Sequence, residues 1–341
     1  MKDTTIGVDV AKAVFEIGIS TKPGTIGERQ RLSRKRFTEF VHLQEPATFV
    51  MEACGSAHYW GREMEQCGHE VVLLPPMQVR PYVKGNKTDR TDVTGTLEAN
   101  WNADIYPVPV KSLMQQQLTS LHRVRSGWMG TRIARSNMVR GLLREVGIGI
   151  PLGAAQVVPR VLEAVEDAES GVPWAMREVL HTSCGEIRQL EGQIQGVERQ
   201  LEALTRQTPV VARLRTIPGI GLLTATALVG FVGDIQRFHS CRHFASYLGL
   251  TPREWSSGLR RRLGGISKRG DTYLRTLLIH GARAVIRVAK SEPDQLSAWA
   301  LEIQQRRGYK KASAAVANKL ARIAWAVWKR GEVYSSQPTA V

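Results

Sequence analysis

The first third of this chain alternates short apolar segments with amphipathic ones, and two of the apolar segments end in an acid. Residues 5–10 and 47–53 have the composition of buried strands, with Asp9 and Glu52 near their ends. Strands that alternate with helices indicate an α/β sheet, whose active site forms at the strand ends. A buried carboxylate is costly unless it is paired or bound to a metal, so both acids are candidate site residues.

Two more carboxylates, Asp89 and Asp92, lie three residues apart in the segment KTDRTD at residues 87–92. This segment is predicted to begin a helix, on which positions i and i+3 share a face, so both side chains should point into one small volume. A divalent cation would relieve their repulsion, and carboxylates suit Mg²⁺ or Mn²⁺. The alternative is a solvated helix start, because acids in a first turn complement the helix dipole.

Together, Asp9, Glu52, Asp89 and Asp92 resemble the acidic site of a ribonuclease-H/RuvC-like nuclease core. Such cores hold two metal ions about 3.5–4 Å apart, which stabilise the attacking and leaving oxygens of a phosphoryl transfer. The resemblance implies a catalytic α/β domain over residues 1–110 with Mg²⁺ as cofactor and Mn²⁺ as a substitute.

The charge balance of the 341 residues predicts a polyanionic partner. Lys and Arg number 47 against 31 Asp and Glu, which gives a net charge of +16. No apolar run approaches the roughly eighteen residues of a membrane span, and the first residues lead into a strand pattern rather than a signal peptide. The four cysteines are scattered without zinc spacing, so we expect reduced thiols in a cytoplasmic protein that binds nucleic acid.

Residues 112–146 are predicted to form one long helix with an apolar face and a strongly basic face. A solvated surface helix usually mixes charge signs, whereas a single sign fits a phosphate backbone. On this face Glu145 is the acid that opposes the arginines. We therefore predict nucleic-acid contacts for Arg123, Arg125, Arg132, Arg135 and Arg140.

A second long helix is predicted to begin near residues 171–173, and its apolar residues alternate spacings of three and four. This heptad pattern comprises Ile187, Leu190, Ile194, Val197, Leu201 and Leu204. It lasts about three heptads, which is marginal for an isolated coiled coil. The pattern indicates either an intramolecular hairpin or a homodimer contact, and we favour the dimer. Residues 111–208 are thus interpreted as a basic helix and a coiled-coil linker.

Residues 209–335 are predicted to form a mostly helical domain with two candidate nucleic-acid contacts. The segment IPGIG at 217–221 resembles the turn of a helix-hairpin-helix element, in which Gly219 and Gly221 permit close approach to a phosphate. A simple helical hairpin could use the same turn. The second contact is a basic loop that contains Arg253, Arg260, Arg261, Arg262, Lys268 and Arg269.

Ser256 and Ser257 lie in this basic loop and are followed by Gly258. A serine among arginines can act as a nucleophile, because the arginines favour its alkoxide and hold the scissile phosphate. The alternative is a turn serine in a nucleic-acid-binding loop. For an isolated serine we favour the turn, and the residues alone do not separate Ser256 from Ser257.

Six segments occur in a fixed order along nearly the whole chain. They are GVDVAK at 7–12, MEACG at 51–55, KTDRTD at 87–92, IPGIG at 217–221, GLTPR at 249–253 and SG at 257–258 with ISKRG at 266–270. Together they resemble the DEDD transposases of the insertion-sequence 110/1111 family, the bridge-RNA-guided recombinases. The resemblance implies that Asp9, Glu52, Asp89 and Asp92 bind metal and that Ser257, the serine followed directly by glycine, is the nucleophile.

The same resemblance implies the partners and the reaction. A bridge RNA would pair with target and donor DNA, and strands would be exchanged through a phosphoserine link in dimers and tetramers, within a bacterial cytoplasm and nucleoid. In these assemblies the acidic tetrad of one subunit would meet the serine of another. Two alternatives are a RuvC-like nuclease that only hydrolyses DNA, and a basic architectural or RNA-binding protein whose carboxylates are structural.

Overall fold

The computed structural model describes residues 4–86, 88–289 and 294–335, so Lys87 of the acidic segment lies outside the described residues. The chain forms two compact units, which divide between Gln116 and Gln117. The division lies close to the predicted end of the first domain at residue 110. Residues 117–208, which we assigned to a separate linker, belong to the same unit as the C-terminal helices.

The N-terminal unit is built on a five-stranded sheet with the order β3-β2-β1-β4-β5. Its strands are β1 (Thr5–Asp9), β2 (Val14–Ser20), β3 (Glu28–Ser33), β4 (Thr48–Glu52) and β5 (Glu70–Leu74). β2 runs antiparallel to β1 and β3, whereas β4 runs parallel to both β1 and β5. The predicted α/β sheet is therefore present.

Different helices cover the two faces of this sheet, because side chains alternate along each strand. The first helices are α1 (Arg34–Leu43), α2 (Ala57–Gln66), α3 (Pro76–Val79) and α4 (Asp89–Asn100). On one face Val8, Phe49 and Met51 pack in a core with Phe37 of α1 and Trp60 of α2. On the other face Val50 and Leu74 pack with Val79 of α3 and Ala99 of α4.

Glycines let α4 lie close to the sheet. A Cβ atom at Gly7 of β1 would lie 2.6 Å from Cγ of Leu97, and one at Gly18 of β2 would lie 2.9 Å from Cγ1 of Val93. Asp9 follows Gly7 by two residues, so its side chain points to the same face as α4. Close packing of α4 therefore places its first turns beside the end of β1.

The second unit begins with an antiparallel helical hairpin. It consists of α5 (Leu113–Glu145), which starts just before the division, α6 (Val157–Glu166) and α7 (Trp174–Thr205). Three ion pairs join α5 to α7 in antiparallel order: Arg125–Glu198 at 2.7 Å, Arg132–Glu191 at 3.3 Å and Arg135–Glu186 at 2.7 Å. Both long helices occur where the periodicity predicts them.

The heptad face of α7 is covered within the same chain. Ile187 lies in a core with Val139 and Leu143 of α5, and Val197 and Leu201 lie in the larger core of the unit. Leu190 and Leu204 are half-buried. The intramolecular hairpin is therefore the correct alternative, and the preference for a homodimer contact on this face is wrong.

The rest of the second unit is a helical bundle with one small ribbon. Its elements are α8 (Pro209–Arg215), α9 (Leu222–Val232), α10 (Cys241–Tyr247), β6 (Pro252–Glu254), β7 (Leu263–Ile266), α11 (Thr272–Val288), α12 (Gln295–Arg307) and α13 (Tyr309–Arg330). The mostly helical C-terminal region is confirmed. Across the described ranges, no helix has both the length and the apolar character that a membrane crossing requires.

A buried polar network joins α5, α9 and α11. His122 is 0% exposed, with Nε2 2.9 Å from the hydroxyl of Thr226 and Nδ1 2.9 Å from the hydroxyl of Tyr273. The Thr226 hydroxyl donates to the Leu222 carbonyl, so its oxygen accepts from Nε2–H and Nδ1 accepts from Tyr273. Burial and then the nearby Arg125 charge lower the pKa of His122 to about 4.

We expect His122 to make folding sensitive to mild acid. An unfolded histidine has a pKa near 6.5, so the contribution is fully present above that pH and is lost as pH falls towards about 4. Between pH 7.5 and pH 5 this linkage costs the wild type about 2 kcal/mol of unfolding free energy, a loss that His122→Gln lacks. Urea unfolding of both proteins measures it, and parallel pH profiles would contradict it.

Candidate functional site

An open cavity of about 720 Å³ lies at the carboxyl ends of β1 and β4. Val8 of β1 pairs with Met51 of β4, so the residues that follow, Asp9 and Glu52, are neighbours on the same face. Asp92, from the first turn of α4, lines the same cavity. The structure thus brings three of the four predicted carboxylates around one space.

The start of α4 is fixed by a reciprocal pair of hydrogen bonds between two threonines. Thr88 Oγ1 accepts from the Thr91 backbone N–H at 3.2 Å, and Thr91 Oγ1 accepts from the Thr88 N–H at 2.9 Å. This capping box satisfies two N–H groups that the helix itself cannot pair. The helix therefore begins at Asp89, as predicted, and Asp92 faces the sheet.

Asp89 does not line the cavity. Its carboxylate lies 3.7 Å from Nη2 of Arg31 on β3, and these side chains are 60% and 68% exposed. The neighbouring Arg29 donates to the Arg90 carbonyl at 3.1 Å and to the Thr94 hydroxyl at 2.8 Å. Arginines of β3 thus hold the first turns of α4, and Asp89 is not brought together with the other three acids.

The cavity carries a negative field that suits a hard cation. Burial, then the charges of Glu52 and Asp9, raise the pKa of the Cys54 thiol, which lines the same space. Among the described residues, no three acids, histidines or cysteines stand close enough to form a complete metal site. The donor types fit Mg²⁺ or Mn²⁺, because both prefer carboxylate oxygen and complete their shells with water.

Sequence reasoning missed two side chains of this cavity, Arg80 and Cys54. Arg80 follows β5, the third parallel strand, by a few residues. Residues after parallel strands gather at one edge of the sheet, so its position was available from the strand pattern. Its guanidinium adds a positive charge that suits a phosphate oxygen.

The two predicted serines lie at the tip of the β6–β7 ribbon. The Trp255 N–H donates to the Arg262 carbonyl at 2.9 Å, and Ser257 and Arg260 exchange backbone hydrogen bonds of 3.3 and 3.2 Å. Gly258, with φ of 55°, makes the tight turn between them. Ser257 therefore stands at the exposed end of the ribbon.

The surroundings of the two serines differ. The Ser256 hydroxyl donates to the Glu254 carboxylate at 2.6 Å and accepts from the Arg262 N–H at 3.2 Å. The hydrogen bond from Ser256 is the main cause that lowers the pKa of Glu254, and the charge of Arg261 lowers it further. The Ser257 hydroxyl is exposed and bonds to no side chain or backbone group in the described part of the chain. The Ser256 hydroxyl therefore has two hydrogen-bond partners within the ribbon, whereas the Ser257 hydroxyl is open to solvent.

The basic residues of the ribbon region lie mostly at the surface. Arg260, Arg261 and Arg262 are exposed at the tip. Arg253 is also exposed, but its guanidinium donates to the Ser267 carbonyl through two contacts of 3.3 Å across the base of the ribbon. Lys268 and Arg269 are exposed just after β7. The tip therefore presents three arginines shortly after Ser257, and one of them, Arg261, lies 3.4 Å from the Glu254 carboxylate.

The sequence predicted that the arginines of α5 have almost no acidic neighbours. This premise is wrong, because glutamates of α7 form ion pairs with three of them. Arg125 and Arg132, paired with glutamates of α7, are only 15% and 20% exposed, and Arg135 has an acidic partner as well. Arg140 donates to the carbonyls of residues 150 and 153. Arg123 is exposed, as a contact with nucleic acid requires, and its contact stays a prediction.

The predicted turn between α8 and α9 is present, and Gly219 adopts a positive φ of 82°. Gly219 lies close to α11, because its carbonyl packs on the backbone of Gly281. A side chain at Gly281 would collide with that carbonyl. Gly221 is exposed directly before α9. The first glycine of the motif is therefore explained by packing.

Comparison with known proteins assigns both units to one family. Residues 6–148 match the family model of DEDD transposases of the IS110 type, and residues 211–297 match the Transposase IS116/IS110/IS902 family. The "Probable family 20 transposase" of Pseudomonas aeruginosa is 43% identical and covers 98% of this chain and 99% of its own. The transposase for insertion sequence element IS1111A of Coxiella burnetii is 38% identical over 98% of this chain and 92% of its own.

A more distant relative is the pilin gene-inverting protein of Moraxella bovis, which is 25% identical over 99% of both chains. Relatives that match along their whole length are thus named for moving or inverting DNA segments. This chain is a DNA-processing enzyme and belongs to the IS116/IS110/IS902 transposase family.

Proposed function

We propose that this protein cuts and rejoins the DNA of an insertion sequence through a covalent link between Ser257 and a DNA phosphate. The observation that carries the proposal is the difference between neighbouring serines. The Ser256 hydroxyl is held by Glu254, whereas the Ser257 hydroxyl stands exposed at the ribbon tip beside Arg260 and Arg261.

In the proposed step, Ser257 Oγ forms a bond to phosphorus while the bond from phosphorus to one ester oxygen breaks. The hydroxyl proton passes to the released oxygen, so the number of phosphate ester bonds is unchanged and no external energy is needed. Arg260 and Arg261 stabilise the charge on the non-bridging oxygens. In the return step, a hydroxyl of the incoming strand attacks the phosphoserine, and Ser257 leaves with a proton.

We infer that Asp9, Glu52 and Asp92 hold Mg²⁺, or Mn²⁺ in its place, and that Asp89 completes the set by giving up its ion pair with Arg31. The bound cation would supply Lewis-acid stabilisation of the charge on the phosphate. The shared cavity of the first three acids supports this assignment.

Covalent trapping separates this function from its alternatives. A reaction stopped in denaturant should contain DNA that migrates with the protein and is released by protease. A nuclease that only hydrolyses would give free cleaved ends and no adduct, with undiminished cleavage by Ser257→Ala. A binding protein with structural carboxylates would retain DNA without cutting it in any variant.

We further propose that a bridge RNA selects the donor and target DNA, in the bacterial cytoplasm and nucleoid. The net charge of +16 and the exposed arginines support a polyanionic partner of this kind. Sequencing the RNA that co-purifies with the protein should give one species with segments complementary to both DNAs. Strand exchange that survives complete removal of RNA would contradict the proposal.

We also propose that each reaction centre combines Ser257 of one subunit with the acids of another, in a dimer or tetramer. Mixing inactive Ser257→Ala with inactive Asp9→Asn should then restore strand exchange, because hybrid centres contain both functions. Mixing Asp9→Asn with Asp92→Asn is the matched control and should restore nothing. Failure of the first mixture would contradict the shared centre.

A further inference from the structure

The ribbon that carries Ser257 also forms one wall of a groove of about 860 Å³ within the second unit. The opposite wall is α13, and Trp299 of α12 closes one side. We propose that this groove binds a single strand of DNA adjacent to the phosphodiester attacked by Ser257. The inference deepens the proposed function and rests on it for the identity of the strand.

The walls of the groove suit the faces of unpaired bases. Leu250, Pro252 and Ile266 come from the ribbon side, and Ala314 and Ala315 come from α13. Small and apolar side chains leave a broad surface on which a base can lie out of water. A duplex hides its base faces, whereas a single strand exposes them, so these walls favour a single strand.

The cations of the groove lie along one face of α13. Lys311, Lys319 and Arg322 follow one another at intervals that bring them to the same side of a helix. Lys319 Nζ is held 5.9 Å from the centre of the Trp299 ring. Arg322 Nε is buried and has no hydrogen-bond acceptor among the described residues, so an N–H donor is unused.

No acidic side chain is among the described residues that line the groove. The combination of apolar walls, a row of cations and no acid is complementary to a nucleic-acid strand, whose bases are apolar on their faces and whose backbone is anionic. A protein segment of mixed charge would gain less from this lining.

Continuity with the nucleophile favours DNA over RNA. Pro252 lines the groove and Ser257 stands five residues later, which limits their separation to at most about 18 Å of extended chain. A DNA strand that lies in the groove can therefore extend to the tip of the ribbon, where its phosphate would meet Ser257.

Adjacent lysines on α13 provide a matched test. Lys311 lines the groove and Lys310 does not, although both are exposed. We would measure the fluorescence anisotropy of a labelled oligothymidylate of about twelve nucleotides with RNase-treated full-length protein that carries Ser257→Ala. Loss of one phosphate contact should reduce the salt slope by about 0.7 and the affinity at 0.1 M salt by about fivefold for Lys311→Gln.

Lys310→Gln should leave the salt slope and the affinity close to those of the Ser257→Ala protein. The double variant Lys311→Gln/Lys319→Gln should bind about 25-fold more weakly than that protein. Equal effects of Lys310→Gln and Lys311→Gln would overturn the inference. The same measurement with a labelled oligouridylate tests RNA, and a loss of affinity in Lys311→Gln for oligouridylate alone would also overturn it. Because the Ser257→Ala background cannot form an adduct through that serine, the binding result does not depend on the identity of the nucleophile.

Discussion

Ser257→Ala is expected to lower strand exchange by at least about 10³-fold, because the covalent link that we propose forms through the Ser257 hydroxyl. The assay uses a donor plasmid that carries the ends of the element together with a target plasmid, and it counts the new junctions by quantitative PCR. Binding of the DNA should be retained, since the serine hydroxyl makes no hydrogen bond within the described protein.

Ser256→Ala is the matched control for this prediction. It removes the same atom one residue earlier, and with it the hydrogen bonds to Glu254 and from the Arg262 N–H. We expect less than about a tenfold loss, because both hydrogen bonds lie in an exposed ribbon where water can replace the lost partner. If Ser256→Ala abolishes exchange while Ser257→Ala preserves it, the nucleophile has been assigned to the wrong serine.

Asp9→Asn is expected to remove the response to metal and to lower strand exchange by at least about 10²-fold. Mg²⁺ at a hundred times its dissociation constant should stabilise the wild type by about 2.7 kcal/mol, and the variant should show no such gain.

Thermal unfolding with and without Mg²⁺ measures this response, and Glu39→Gln, an exposed acid of α1 that does not line the cavity, is the charge-matched control. An Asp9→Asn protein that is stabilised by Mg²⁺ as strongly as the wild type would contradict the site. Asp89→Asn decides the size of the ligand set. If its metal response and activity are unchanged, Asp89 serves only as the partner of Arg31 and three acids hold the cation.

The sequence predicted those parts of the site that depend on local pattern. Strand periodicity placed Asp9 and Glu52 at strand ends, and the threonines that flank Asp89 supply the capping signal for α4. Glycines at positions 7 and 18 then set how closely α4 approaches the sheet, which brings Asp92 to the cavity. The position of Asp89 depends on Arg31, a contact with another element that local pattern does not reveal.

The errors have the same physical origin. The charge of α5 was read from that helix alone, while its counter-charges lie on α7, far along the chain. The heptad pattern of α7 specifies an apolar face but not which helix covers it, so the sequence permitted both the hairpin and the dimer. Similarly, the glycine motif at 217–221 showed that a close approach was required, and only the structure shows Gly281 on the other side.

The proposed phosphoserine link is tested most directly by identifying the residue to which DNA is attached during strand exchange. Trapped protein–DNA complexes can be digested with nuclease and protease, and the peptide that bears the remaining nucleotide can be identified by mass spectrometry. We predict a nucleotide attached to Ser257, in amounts that fall to background in Asp9→Asn. A nucleotide on any other residue, or strand exchange that proceeds without a protein-bound nucleotide, would contradict the account.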